Sequence, residues 1–218
     1  MKTVAVVLCG SGYRDGTEIR EAVGVLWALS GEGVIARCFA PDADQADVID
    51  CLTQKPTGES RNMRVEAARI ARGQVEPLSE LHVADYDALF IPGGFGVAKN
   101  LCTFATQGAQ GAVRADLQKI LEDFHSARKP IGAVCIAPAL VGLAFRGKGI
   151  ELSLGAEGET SQELEKMGHR HIVTRADQCH VDVRNKIVSS PAYMYGEAPL
   201  HEIFVGIQSL VRESLKLC

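Results

Sequence analysis

Residues 129–140 read Lys-Pro-Ile-Gly-Ala-Val-Cys-Ile-Ala-Pro-Ala-Leu, "KPIGAVCIAPAL". An apolar run of strand length, 131–135, turns with no linker into a helical pattern, and Pro138 stands where a first helical turn accepts proline. The residues two before and two after Cys135 are both alanine. A side chain presented on so tight a strand-to-helix turn needs small neighbours at these positions, so the stretch reads as a nucleophile elbow. It also reads as one strand and one helix of an alternating α/β chain.

The same alternation extends outward. Apolar runs at 3–9, 33–40 and 86–91 are separated by segments with a 3.6-residue period, with Ile19, Val23, Leu26 and Trp27 in one and Val113, Leu117, Ile120, Leu121 and Phe124 in another. Such an order predicts an α/β fold: a mostly parallel sheet with helices on both faces. Beyond residue 150 the pattern shortens to "IELSLG", "HRHIV", "CHVDV" and "KIVSS", with Arg184-Asn185 as a hairpin turn. A closing amphipathic helix follows, expected to bury Leu200, Ile203, Phe204, Ile207, Leu210 and Val211. The least regular stretch, about 41–82, carries Pro56, Gly58, Gly73 and Pro77 around an expected helix at 62–72. It reads as an excursion on a single domain spanning 1–218.

Composition narrows the function. With 46% apolar and 23% charged residues, the 218-residue chain has ample material for a core. A formal charge of -4, a pI near 5.9 and the absence of any Lys/Arg run argue against nucleic acid as a partner. Seven cysteines, an odd number with no C-x-x-C pair, suit a reducing compartment. No histidine stands at metal-ligand spacing from them, and neither a metal nor a cofactor is expected. The start "MKTVAVVLCG" is too short for a secretory or membrane segment, so a cytoplasmic location without membrane contact is expected.

In an open parallel sheet, sites form beyond the carboxyl ends of the strands. Four segments fall there: the loop "LCGSGYRDGTE" (8–18), "PGGFG" (92–96), Cys135 and "PAYM" (191–194). Cys135 is the candidate nucleophile, with the helix N-terminus expected to lower its pKa; the competing reading is a buried core cysteine. Gly93 and Gly94 let backbone approach a substrate closely, and the N–H groups of Gly94 and Ile136 together suit an oxyanion hole. Glu18 has two readings. Asp15-Gly16-Thr17-Glu18 matches a capping box, yet Glu18 also ends one of the loops expected at the sheet's carboxyl edge. The glycines at 10, 12 and 16 miss the dinucleotide fingerprint by one residue, and Asp42 comes too late to bind a ribose. No histidine adjoins Cys135; His125 and His180 read as exposed polar residues, and His169 and His171 lack a partner for metal binding.

The stretches "DGTEI", "FAPD", "SRN", "EAARIARG", "PGGFGVAKNL", "RKPIG", "CIAPA", "NKIV" and "PAYM" together resemble the superfamily of the parkinsonism-associated deglycase and class I glutamine amidotransferase-like domains. They are most similar to its ElbB-type glyoxalases, the enhancing-lycopene-biosynthesis or sigma-cross-reacting proteins. The resemblance implies a flavodoxin-like three-layer sandwich, a homodimer, a reactive cysteine at Cys135 and an acid, Glu18, in contact with it. It implies glyoxalase chemistry on a small aldehyde, glyoxal to glycolate, without a cofactor. A deglycase of the same superfamily and a redox or electrophile sensor linked to isoprenoid metabolism are the alternatives. Relatives commonly have cysteine where Ser11 stands and histidine where Arg20 stands. The histidine that assists in the deglycase branch would fall near Gly155.

Overall fold

The computed structural model describes residues 1–218. The chain runs through β1 (Thr3–Val7), α1 (Ile19–Gly31), β2 (Ile35–Ala40), the short antiparallel pair β3 (Ile49–Asp50) and β4 (Lys55–Pro56), α2 (Met63–Ile70), β5 (Val75–Pro77) and β6 (Ala88–Ile91). It continues through a π-type turn (Val97–Leu101), α3 (Phe104–Gln107), α4 (Ala115–Ser126), β7 (Ile131–Val134), α5 (Ala137–Ala144), β8 (Glu151–Leu152) and α6 (Glu159–Lys166). The last elements are β9 (Arg170–His171), β10 (His180–Asp182), β11 (Ile187–Ser190) and α7 (Leu200–Lys216).

Seven strands form one sheet in the order β10-β11-β7-β6-β1-β2-β5, and only the β10–β11 pair is antiparallel. The central strands are buried on both faces, which is why they read as unbroken apolar runs. Alternate residues serve two cores. Ala5 and Val7 face α4, α5 and α6, while Val4 and Val6 face α1 and α7. The expected three-layer α/β architecture is therefore present. The C-terminal hairpin turns at 183–186 and joins the main sheet, and the stretch 41–82 returns to it as the edge strand β5.

The predicted buried face of α1 is corrected. Ile19, Val23 and Trp27 are exposed, and Glu21, Ala22, Val25, Ala28 and Leu29 point inward. Small residues win that face because α7 packs close: a Cβ on Gly24 would press on Phe204 and Ile207. For α7, Ile203, Ile207, Leu210 and Val211 are buried as expected, whereas Leu200 at the helix start is exposed and Phe204 lies half-buried with its ring 6.2 Å from that of Trp27.

β1 has neighbours on both sides, β2 leading one way and β6 the other, so the strand order reverses there. A crevice opens at such a reversal, at the carboxyl ends. The loops after β1, β6, β7 and β11 meet at that edge.

Candidate active site

Cys135 sits between β7 and α5 with φ of 60°, in the left-handed region, and its N–H donates to the Ser190 carbonyl of β11 at 2.8 Å. A cysteine there costs about 1–2 kcal/mol relative to an ordinary backbone. The strain turns its side chain off the strand and out of the helix. Ala133 and Ala137, both fully buried, leave room for the bend.

The loop "PGGFG" closes over the sulfur. A Cβ at Gly93 would collide with the Cys135 Cβ, the Glu21 carboxylate and the Val134 carbonyl. Gly94, at φ of 102°, lies equally close to the backbone of Gly16 and Glu18. Glu18 N–H donates to the Gly93 carbonyl at 2.9 Å, and Gly96 N–H to the Gly16 carbonyl at 3.0 Å, so the loops after β1 and β6 are stitched together. Gly94 and Ile136 line the same cavity as Cys135, and their N–H groups favour a charged sulfur. The three backbone positions singled out from sequence, Gly93, Gly94 and Ile136, are thus brought together around Cys135.

The acids are arranged differently from the expectation. Glu18 is the N-cap of α1: its Oε2 accepts from Glu21 N–H at 2.6 Å. Its other side forms part of the pocket wall. Asp15, expected to cap α1, is buried and accepts instead from Ile49 N–H at 2.8 Å, which ties the excursion to the first loop. The acid set beside Cys135 is Glu21: a Cβ on Gly93 would meet both its carboxylate and the Cys135 Cβ, and its charge acts on the thiol. The physical reason is helical geometry. A residue at the cap bends back over the first turn, while the one three positions on projects from the buried face toward the elbow.

Glu21 is fully buried and has no cationic partner. Its Oε2 accepts from Gly93 N–H at 2.9 Å and its Oε1 from Tyr193 N–H at 3.2 Å. Burial, reinforced by the nearby Glu18 charge, pushes its pKa up to about 8 against the lowering effect of those donors. Burial likewise raises Glu18. Burial and the Glu21 carboxylate push the Cys135 thiol well above its usual value, although Gly94 and Ile136 N–H oppose them. The expected lowering by the helix N-terminus is therefore outweighed. Burial favours the protonated form of each group, and the two titrate as a coupled pair.

Cys135 is 8% exposed, and it opens on a cavity of about 300 Å³. Tyr13, Phe95, Phe104, Tyr193 and Met194 supply its walls, and Glu18 and Thr160 its polar points. A more open groove of about 550 Å³ beside Arg175 and the 194–198 turn contains no cysteine, serine or histidine, so it offers no nucleophile. Ala192, fully buried at φ of 41°, makes the bend that brings Tyr193 N–H onto Glu21. Arg20 donates to the Tyr193 hydroxyl at 2.9 Å.

No histidine lines the cavity. His169 is buried, accepting from Ile150 N–H at 3.2 Å and facing the Gly142 carbonyl. His171 accepts from Leu154 N–H at 3.2 Å. His180 is half-buried against Glu151 at 3.0 Å, and His125 packs on Phe145, so neither is the free surface residue expected. Gly155 packs against Pro191 and the Tyr195 ring, and a Cβ there would collide with the ring and press on the proline. No three His, Cys, Asp or Glu side chains converge in a way that could hold a metal ion.

No family model matches the chain. Among curated proteins it is 44% identical, over 98% of its length and 82% of the relative's, to human "Glutamine amidotransferase-like class 1 domain-containing protein 3, mitochondrial". It is 43% identical to the rat "ES1 protein homolog, mitochondrial", over 98% and 83%. Among solved structures, an isoprenoid biosynthesis protein with an amidotransferase-like domain from Ehrlichia chaffeensis superposes with a TM-score of 0.93 at 35% identity, covering 100% of this chain and 99% of the other. Drosophila melanogaster DJ-1beta, at 16% identity over 99% and 96% with a TM-score of 0.56, shares the fold. The cytoplasmic expectation is overturned by these names: the curated relatives are called mitochondrial proteins.

Proposed function

The chain belongs to the glutamine amidotransferase-like class 1 family that includes the mitochondrial ES1 proteins, and from that premise we propose that it is a cofactor-independent glyoxalase acting on 2-oxoaldehydes through Cys135. The observation that carries the reading is the set of groups around one sulfur: two backbone donors, a buried carboxyl with a raised pKa, and a cavity open to a substrate. We extend the relatives' mitochondrial location to it, and a homodimer is part of the same proposal.

Once Glu21 has lost its proton, its carboxylate lies where it can accept the Cys135 thiol proton. As the sulfur forms a bond to the aldehyde carbon, Glu21 takes the thiol proton and passes it to the carbonyl oxygen, which Gly94 and Ile136 N–H hold as charge develops. The product is a hemithioacetal. Glu21 then moves the C1 proton to the C2 oxygen, giving an enediol, and the C1 hydroxyl proton passes to C2. A thioester of a 2-hydroxy acid results. Water hydrolyses it, releasing the acid and restoring the thiol. Atoms balance as oxoaldehyde plus water, and glyoxal gives glycolate. The role first read into Glu18 passes in this scheme to Glu21, with Glu18 fixing the helix end that aims it.

Burial and a raised thiol pKa count against a freely oxidised sensor. Removal of early glyoxal adducts from amines would use the same sulfur. The test is glycolate formation from glyoxal by purified protein in metal-free buffer. The reading requires turnover that disappears with Cys135→Ser; turnover that survives the substitution removes it.

A further inference from the structure

The cavity is larger and more apolar than glyoxal needs. A water occupies about 30 Å³ in the liquid, so a dialdehyde of four heavy atoms fills on the order of two or three water volumes. The cavity offers about 300 Å³. Away from the sulfur its wall is built from the rings of Tyr13, Phe95, Phe104 and Tyr193, with Met194 and Ala105 between them. Tyr13 and Phe95 are 41% and 46% exposed at the mouth, apolar surface left open beside a reactive group. These rings are held in place. The Arg14 guanidinium lies 4.9 Å from the centre of Phe95 and 5.9 Å from that of Tyr13, and Arg20 stacks on Tyr193 at 5.9 Å while bonding its hydroxyl.

We infer that the site takes 2-oxoaldehydes whose keto carbon bears an apolar arm, an aryl or branched alkyl group of roughly five to eight carbons, with the arm against the aromatic wall; this rests on the glyoxalase reading of Cys135. The aldehyde end reaches the sulfur and the two N–H groups, as any member of the series must. The arm displaces water from the rings and fixes the pose, which raises kcat/KM along with buried apolar area.

The test compares kcat/KM for glyoxal, methylglyoxal and phenylglyoxal in the wild type and in Ala105→Asp, which places a charge on an exposed part of the arm wall. The expected result is a stepwise rise, at least about tenfold from glyoxal to phenylglyoxal, and a clear fall of that ratio in Ala105→Asp. Because the ratio is compared between two proteins, intrinsic differences in aldehyde reactivity cancel. Equal values across the series, or a ratio unmoved by Ala105→Asp, overturn the inference and leave the glyoxalase reading intact. If no oxoaldehyde is turned over, the glyoxalase reading falls, and the arm site is judged by calorimetry of 1-phenylethane-1,2-diol and ethylene glycol on Cys135→Ser. Tighter binding of the aryl diol upholds an apolar-arm site, and equal binding removes it too.

Discussion

Two buried cysteines stand just past neighbouring parts of the sheet edge, Cys9 after β1 and Cys135 after β7. Burial raises both thiols, Cys9 to about 12. What separates them is what else faces the sulfur. Cys9 is sealed from solvent against the Thr17 hydroxyl at 3.5 Å, and its own N–H is bonded to the same oxygen at 2.8 Å. Cys135 has a buried acid, two backbone donors and a cavity. In the proposed reaction a thiol's environment, rather than its depth or its place after a strand, separates the reacting cysteine from the packing one.

The largest test of this contrast is the pair Cys135→Ser and Cys9→Ala. The first is expected to lower oxoaldehyde turnover by at least about 10³-fold, and the second to leave turnover unchanged while costing about 0.5–3 kcal/mol in denaturant unfolding. Equal losses of turnover would erase the distinction. Next comes Glu21→Gln, expected to reduce kcat by about 10²–10⁴-fold. The amide nitrogen also cannot accept from either Gly93 or Tyr193 N–H, so one of those donors loses its partner.

The same residue sharpens the contrast through pH. Since the proposed reaction needs the Glu21 carboxylate, kcat/KM should rise as pH passes through about 8. Stability should run the other way. A carboxyl whose folded pKa is raised contributes fully below its ordinary 4.5, and that contribution is lost progressively as pH rises to about 8. Urea unfolding of the wild type at pH 5 and pH 8, set against Glu21→Gln, should show a fall in the wild type that is shallower in the variant. The smallest effect is expected from Glu18→Ala. Loss of the helix cap costs about 1 kcal/mol, about 2–4 °C in Tm for a chain of this size, with a smaller loss of turnover than Glu21→Gln gives.

The sulfur was easier to read than its acid. Cys135 stood out because an elbow constrains covalent neighbours, and Ala133, Ala137 and Pro138 carry that constraint in adjacent letters. Gly93 and Gly94 were legible for a similar reason. Glu21 was hidden by the choice of helix face: the large apolar residues Ile19, Val23 and Trp27 suggested one face, while the chain buries Ala22, Val25, Ala28 and Leu29. Only the close approach of α7 at Gly24 decides between them, and that contact spans most of the chain. Read on the correct face, a glutamate among alanine, valine and leucine would itself have been the signal. Likewise, nothing in "PAYM" announces that Ala192 adopts φ of 41° to deliver Tyr193 N–H to Glu21.

The φ of 60° at Cys135 also sets which residues this position can tolerate over evolutionary or designed change. For folding alone, glycine is the favoured occupant, because it takes that conformation without the penalty of on the order of 1 kcal/mol that a Cβ incurs. Threonine or valine, branched at Cβ, would be disfavoured there. Selection for thermostability with no demand for activity should therefore drift this codon toward glycine, and a library sorted on folding would discard the sulfur before it disturbed the sheet.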